Sequence, residues 1–171
     1  MAVTRSRRRV AERKINVVAR RLLDASTLCA IATVSPRGRA HVNTAYFAWA
    51  PDLRLVWLSE PRAAHSSNLR ANPSVAIAVY DSGQTWGKPD RGIQVFGDAR
   101  AGGADAEEIY ANRFPDYRDS SLDAYRFYEL VPRRLKLFDE RALGAGTFVT
   151  ARARSRGHLE WERTEIYDPA S

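Results

Sequence analysis

The chain has 171 residues, 27 Lys and Arg against 20 Asp and Glu, and a single cysteine, Cys29. That length suits one domain whose core needs no disulfide, and one cysteine excludes an internal disulfide. No run approaches the ~18 apolar residues of a membrane helix, and the basic N-terminus lacks the apolar segment of a signal peptide, so a cytoplasmic protein is expected.

The formal net charge of +7 is concentrated at one end. Residues 1–21 hold Arg5, Arg7, Arg8, Arg9, Arg13, Lys14, Arg20 and Arg21 against Glu12 alone, and the remainder is neutral. Residues 1–14 are therefore expected to form a flexible basic arm and 15–171 a single domain. Such an arm holds phosphates loosely. No aromatic residue interleaves its arginines to stack on bases, so nucleic-acid contact is expected only as a weak electrostatic tether.

In chain order, Ile15, Val18, Leu22 and Leu23 recur at helical spacing, predicting an amphipathic helix over 11–24. Residues 28–34 (LCAIATV) read as a strand. Ser35-Pro36-Arg37-Gly38 is a hairpin-turn signal, followed by a strand over 40–49. Ala50-Pro51-Asp52 turns into a third strand over 54–59. Residues 62–72 read as a helix that Asn72-Pro73 stops. A fourth strand covers 75–80, a polar loop 81–90, and a fifth strand 91–100, in which Ile93 and Val95 alternate with Gln94 and Phe96. Residues 104–114 read as a helix with Asp105, Glu107 and Glu108 near its start, as the helix dipole prefers. Strands over 125–131 and 134–138 are expected to hinge at Pro132, with a last strand over 147–153. The polar tail from Arg154 gives no clear element. The pattern is mainly β, an antiparallel closed or split β-barrel with flanking helices.

Two stretches carry chemistry. Arg62-Ala63-Ala64-His65-Ser66-Ser67-Asn68-Leu69-Arg70 opens a helix directly after a strand. Free N–H groups at a helix start suit an anion, and arginine supplies a fork for phosphate. The alternative is an ordinary polar helix face. Asn43 and Thr44 interrupt an apolar, aromatic strand and would suit the edge of a planar heterocycle; the alternative is a strand with one wet face. Gln94 is a lone amide in an apolar strand, either a satisfied core group or a ligand contact. Cys29 lies in an apolar run and reads as a buried thiol. His41, His65 and His158 are far apart without paired ligands, so no metal site is expected. No Gly-x-Ser-x-Gly, Gly-x-Gly-x-x-Gly or Walker sequence occurs.

The succession LCAIATVSPRGRAHVNTAYFAW, LRLVWLSEPRAAHSSNLRANPSVAIAVYD and RGIQVFGDAR resembles the pyridoxamine 5′-phosphate oxidase-like superfamily of FMN-binding split barrels, and FYELVPRRLKLFD is similar to its closing strands. The resemblance implies a homodimer with FMN between the subunits and an FMN-dependent oxidoreductase acting on a small planar or conjugated molecule, with no catalytic residue assigned. It implies ring contacts along Asn43, Thr44, Ala45 and Tyr46, a phosphate site at Leu58, Ser59, Arg62, His65 and Ser66, and a further contact from Gln94. Alternatives within the class are a deazaflavin (F420) in place of FMN, or a non-catalytic flavin or haem carrier or sensor. Members that oxidise pyridoxamine phosphate usually carry Arg at the position of Asn43, Lys at Ala48 and an Arg-Lys pair at Ala64-His65. Arg62, or Arg54 on the third strand, is the expected replacement.

Overall fold

The computed structural model describes residues 2–117 and 124–168. In chain order the elements are β1 (Ala2–Ser6), α1 (Glu12–Asp24), β2 (Leu28–Val34), β3 (Ala40–Trp49), β4 (Leu55–Ser59), α2 (Ala64–Ala71), β5 (Ser74–Tyr80), β6 (Arg91–Ala101), α3 (Ala106–Arg113), β7 (Arg126–Asp139), α4 (Glu140–Leu143), β8 (Thr147–Ala153) and β9 (Leu159–Asp168). They pack as two compact units.

The unit made of Thr27–Ile77 and Phe96–Pro132 carries a closed, six-stranded antiparallel barrel. The order is β7-β4-β3-β2-β5-β6, and β6 pairs back onto β7. The β2–β3 hairpin closes through the expected turn: the Gly38 N–H reaches the Ser35 carbonyl at 2.9 Å, and Gly38 has φ 74°. That positive φ suits glycine, which has no Cβ to clash. Ile31, Phe47, Leu55, Trp57, Ile77 and Leu130 are fully buried in this unit. Closure of the barrel depends on Gly97, where an added Cβ would lie 2.0 Å from the Val131 carbonyl oxygen.

A second cluster lies where α3 covers the barrel wall. Ala48, Val56, Ala106 and Tyr110 form its buried centre, with Leu58, Ile109, Phe114, Tyr117 and Phe127 packed around them. The turn before β4 holds Leu53 at φ 70° with its side chain fully buried. That turn delivers Arg54 into a knot of acids: Asp52 at 2.8 Å, Asp105 at 2.6 Å and Glu129 at 2.7 Å.

The other unit comprises the described residues of Met1–Ser26, Ala78–Val95 and Arg133–Ser171. Its ladder runs β1-β9-β8-β7, all antiparallel. α1 buries Ile15, Val18, Leu22 and Leu23, the apolar stripe anticipated from their spacing, together with Ala19. Asn16 Nδ2 donates to the Leu159 carbonyl at 3.4 Å. Glu162 bridges Arg134 and Arg152 at 3.1 and 2.9 Å; partial burial opposes its ionisation, yet these arginines hold its carboxyl below the usual range.

Three expectations about the chain's course need correcting. The basic segment 1–14, expected as a flexible arm, contains β1, which pairs with β9 from Ala2↔Asp168 to Ser6↔Thr164, and the first residues of α1. The tail after Arg154 supplies β9, which the sequence left unplaced. The two strands expected to hinge at Pro132 are one continuous strand, β7. Arg126–Leu130 pair with β4 and Arg134–Phe138 with β8, so the missing N–H of Pro132 falls where the strand changes partner.

Candidate functional site

The polar end of β4 and the start of α2 form a compact mouth in the barrel unit. Ser59, His65 and Ser66 are all buried, and the Ser59 hydroxyl is hydrogen-bonded to His65 Nε2. Asn68 Nδ2 donates to Thr33 Oγ1 at 3.0 Å, fastening α2 to β2. Arg70 donates to the Pro61 carbonyl at 2.9 Å and to Ser67 Oγ at 2.8 Å, which fixes the turn that enters the helix. No side chain caps the start of α2, and Ser66 Oγ is buried without a hydrogen-bond partner. An uncapped helix start beside an unpaired buried hydroxyl is a donor set suited to an anionic oxygen.

The histidine contributes no charge at neutral pH. Burial, followed by the neighbouring His41, lowers the pKa of His65 from its usual value. The two rings lie nearly parallel, 6.3 Å apart and inclined by 11°. Arg62 has a side chain 91% exposed and paired with Glu60 at 2.8 Å. Arg54, the other expected replacement for the family's phosphate cations, is committed to Asp105, Asp52 and Glu129. Its guanidinium is pinned inside the fold and is not available to a ligand phosphate.

Strand geometry divides the remaining expected residues. In the β2–β3 register Cys29, Ile31 and Thr33 oppose Ala45, Asn43 and His41. Directly opposed residues share a face, and successive residues alternate. Asn43 and Ala45 therefore stand with His41 on the face that meets His65. Thr44 and Tyr46 stand on the other face, opposite Ala30 and Leu28. Tyr46 is 57% exposed and meets Phe114 edge-on at 5.8 Å. Leu58 packs into the cluster under α3 and not into the mouth. Gln94 is exposed on β6 in the other unit, between buried Ile93 and Val95. The structure thus brings together Ser59, His65 and Ser66, with Asn43 and Ala45 on the neighbouring inner face. His41 and Thr33 join this set unanticipated, because only the register brings them to α2.

Burial pushes the Cys29 thiol up to about 12, so it is protonated and inert at neutral pH. Among the described residues no cluster of His, Cys, Asp and Glu could hold a metal ion, and no helix is long and apolar enough to cross a membrane.

A closed antiparallel barrel with a helix between β4 and β5, and a polar mouth where that helix begins, defines a split-barrel protein. Residues 17–138 match the pyridoxamine 5′-phosphate oxidase family, and the chain belongs to it. No curated protein sequence matches the chain. Among solved structures it is similar to a haem-binding protein from Mycobacterium smegmatis, at 16% identity and TM-score 0.67 over 91% of this chain and 63% of that one. It is similar to HutZ, the haem storage protein of Vibrio cholerae, at 20% identity and TM-score 0.61 over 74% and 95%. A pyridoxamine 5′-phosphate oxidase-related, FMN-binding protein from Nostoc punctiforme aligns at 16% identity and TM-score 0.57 over 90% and 92%.

Proposed function

We propose that the protein binds FMN at the mouth formed by Ser59, His65 and Ser66 and acts as a flavin-dependent oxidoreductase on a small planar or conjugated molecule. The observation that carries this reading is Ser66 Oγ, buried and unpartnered at the uncapped start of α2. Leaving a buried hydroxyl unsatisfied costs about 1–3 kcal/mol, which a ligand oxygen would recover. These neutral donors would suit a phosphoryl tail: backbone N–H groups, a serine hydroxyl and an uncharged imidazole oriented by Ser59. The arginine and lysine found in family members that oxidise pyridoxamine phosphate are absent, so the reading does not extend to that substrate. Asn43 and Ala45 would face the flavin ring, and Gln94 would come from a second copy of the chain.

The second copy is part of the proposal. The outer face of β2 and β3 exposes Leu28, Val34, Val42 and Tyr46 at 46, 37, 64 and 57%. A largely apolar sheet face of this kind, interrupted by Thr44, suits an interaction surface, and a symmetric dimer is the commonest way for one chain to bury it. Bound FMN would supply hydride or electron transfer. The protein's own residues would orient the cofactor, donate hydrogen bonds and exclude water.

A second reading, a haem or flavin carrier without turnover, draws on the half-buried His41 beside the mouth and on the likeness to haem-binding folds. The absorbance spectrum of the purified protein, before and after adding FMN, F420 or haem, separates the cases. Flavin bands that bleach under a reductant and recover with an acceptor support the oxidoreductase. A Soret band supports the carrier. Indifference to all three ligands overturns both.

A further inference from the structure

The unit that carries α1 and β9 holds a separate cavity of about 340 Å³, lined by Arg21, Asp81, Gln84, Lys88, Arg91 and Arg141 among others. Its volume lies at the small end of ligand pockets. Four cations face two carboxylates across it, a net charge of +2. Two of the cations are already matched: Arg21 meets Asp139 at 2.5 Å and Arg91 meets Asp81 at 3.3 Å. Lys88 and Arg141 make no side-chain hydrogen bond or ion pair among the described residues. Glu140, next in the chain to Arg141, accepts backbone N–H groups from Asp90 and Gly146, at 3.2 and 3.0 Å.

The loop that carries half of this lining is internally fixed. Gln84 accepts the Arg91 N–H at 2.7 Å and donates to the Asp81 carbonyl at 3.0 Å, tying the two ends of the loop together. Gly83 N–H bonds Asp81 Oδ1 at 2.9 Å, and Lys88 N–H closes a turn onto Thr85 at 3.1 Å. Two unmatched, exposed cations, one on a braced loop and one on α4, meet Arg21 and Arg91 around the same cavity and suit a doubly charged oxyanion.

We propose that this cavity is an anion site, separate from the α2 mouth, that takes the dianionic phosphate of a small phosphorylated molecule. It shares no residue with the proposed flavin site and stands whether or not that reading holds. Lys88 supplies a point charge and Arg141 a fork, while Arg21 and Arg91 complete a cationic wall.

Titration of inorganic phosphate into the full-length protein at low salt tests the site, read by calorimetry and by the emission of Trp86, which is 97% exposed in the same loop. The expected result is saturable binding that weakens at least about tenfold in Lys88→Ala/Arg141→Ala, since each charge-assisted contact is strong. Arg5→Ala/Arg7→Ala, which lowers the basic charge of β1 and its flank, should bind phosphate as the wild type does, and Ser66→Ala, which alters the mouth, should leave unchanged the binding step that Lys88→Ala/Arg141→Ala weakens. Lys88→Gln/Arg141→Gln removes the charges but keeps polar side chains at two exposed positions and should lose binding as well, so the site remains testable even if the alanine variant fails to fold. Acetate, singly charged, should bind more weakly than phosphate. Wild-type affinity in the alanine double variant, loss of binding in the Arg5/Arg7 variant, or no saturation by about 10 mM phosphate would overturn the proposal.

Discussion

Ser59 and His65 share a hydrogen bond between Oγ and Nε2 that closes the end of β4 onto the first turn of α2. Because burial and His41 lower the imidazole pKa, the folded state resists a proton that an unfolded histidine accepts near pH 6.5. The stability gained from the neutral form is therefore complete above about pH 6.5 and is lost as the pH falls through the lower folded value. Thermal melting should show the wild-type midpoint declining below about pH 6.5, with His65→Gln flat over the same interval. Carboxylates such as Asp105, held low by its hydrogen bonds to Arg54, contribute only nearer pH 4. Parallel decline of the two proteins between those limits would show that His65 is not the titrating group.

Glu129 is a fully buried carboxylate whose oxygens meet Arg54 and Arg100, each at 2.7 Å, with the Gly103 N–H at 3.4 Å. Removing one partner of a buried pair leaves the other's charge poorly compensated. Glu129→Ala should cost about 3 kcal/mol in urea unfolding. Arg100 has a side chain 68% exposed, so Arg100→Ala should cost less than about 1 kcal/mol. Equal costs for the two variants would contradict this ranking.

Close approach of β6 to β7 makes Gly97 the least replaceable glycine of the barrel. Its absent Cβ would sit 2.0 Å from the Val131 carbonyl oxygen, and backbone cannot rotate aside. Gly97→Ala should destabilise by about 1–3 kcal/mol. Gly92→Ala meets the Phe138 ring at 2.5 Å and should cost less, because a side chain can shift. Denaturant midpoints of the two variants check the order.

Local signals make most of the barrel legible in the sequence. The Pro-x-Gly turn, the 40–49 strand and the Asn72-Pro73 stop each act within a few residues, and β2, β3 and α2 fall where those signals place them. What escaped was non-local. β9 has no strong alternation of its own and is specified by pairing with β8 and β1. Arg54 looked like a free cation because Asp105 and Glu129, its partners, lie 51 and 75 residues away. The family resemblance grouped Thr44 and Tyr46 with the ring contacts and Leu58 with the phosphate residues, whereas the β2–β3 register turns Thr44 and Tyr46 to the opposite face and Leu58 packs under α3.

The proposed cofactor mouth shifts the emphasis from charge to neutral donors. The sequence made Arg62 the natural phosphate ligand, but its side chain is solvent-exposed and paired with Glu60. Ser66→Ala should weaken FMN binding by about tenfold, the value of one hydrogen bond to a charged group. Arg62→Ala should change it by less than about threefold, since an exposed pair is worth little. Quenching of flavin fluorescence during titration reads both. A larger loss in the arginine variant would return the phosphate to the helix exterior.

The outer face of the β2–β3 hairpin sets the last expectation, on assembly. Cross-strand pairs Leu28↔Tyr46, Ala32↔Val42 and Val34↔Ala40 line one side of the two strands. Val42, near the middle of that face, is 64% exposed. Such a patch on a free surface costs solubility and is stabilised by burial against a like patch. Val42→Glu would place two carboxylates in the contact and should convert a dimer to monomers at micromolar concentration, read by sedimentation equilibrium. Val3→Glu changes a residue of similar exposure, 58%, on β1 and should leave the dimer intact. The monomeric Val42→Glu protein should keep its far-ultraviolet spectrum, because the side chain makes no core contact that folding requires. It should also lose FMN if the cofactor needs residues from both copies, and retain it if the α2 mouth suffices. A wild-type monomer at those concentrations would remove the two-copy site altogether.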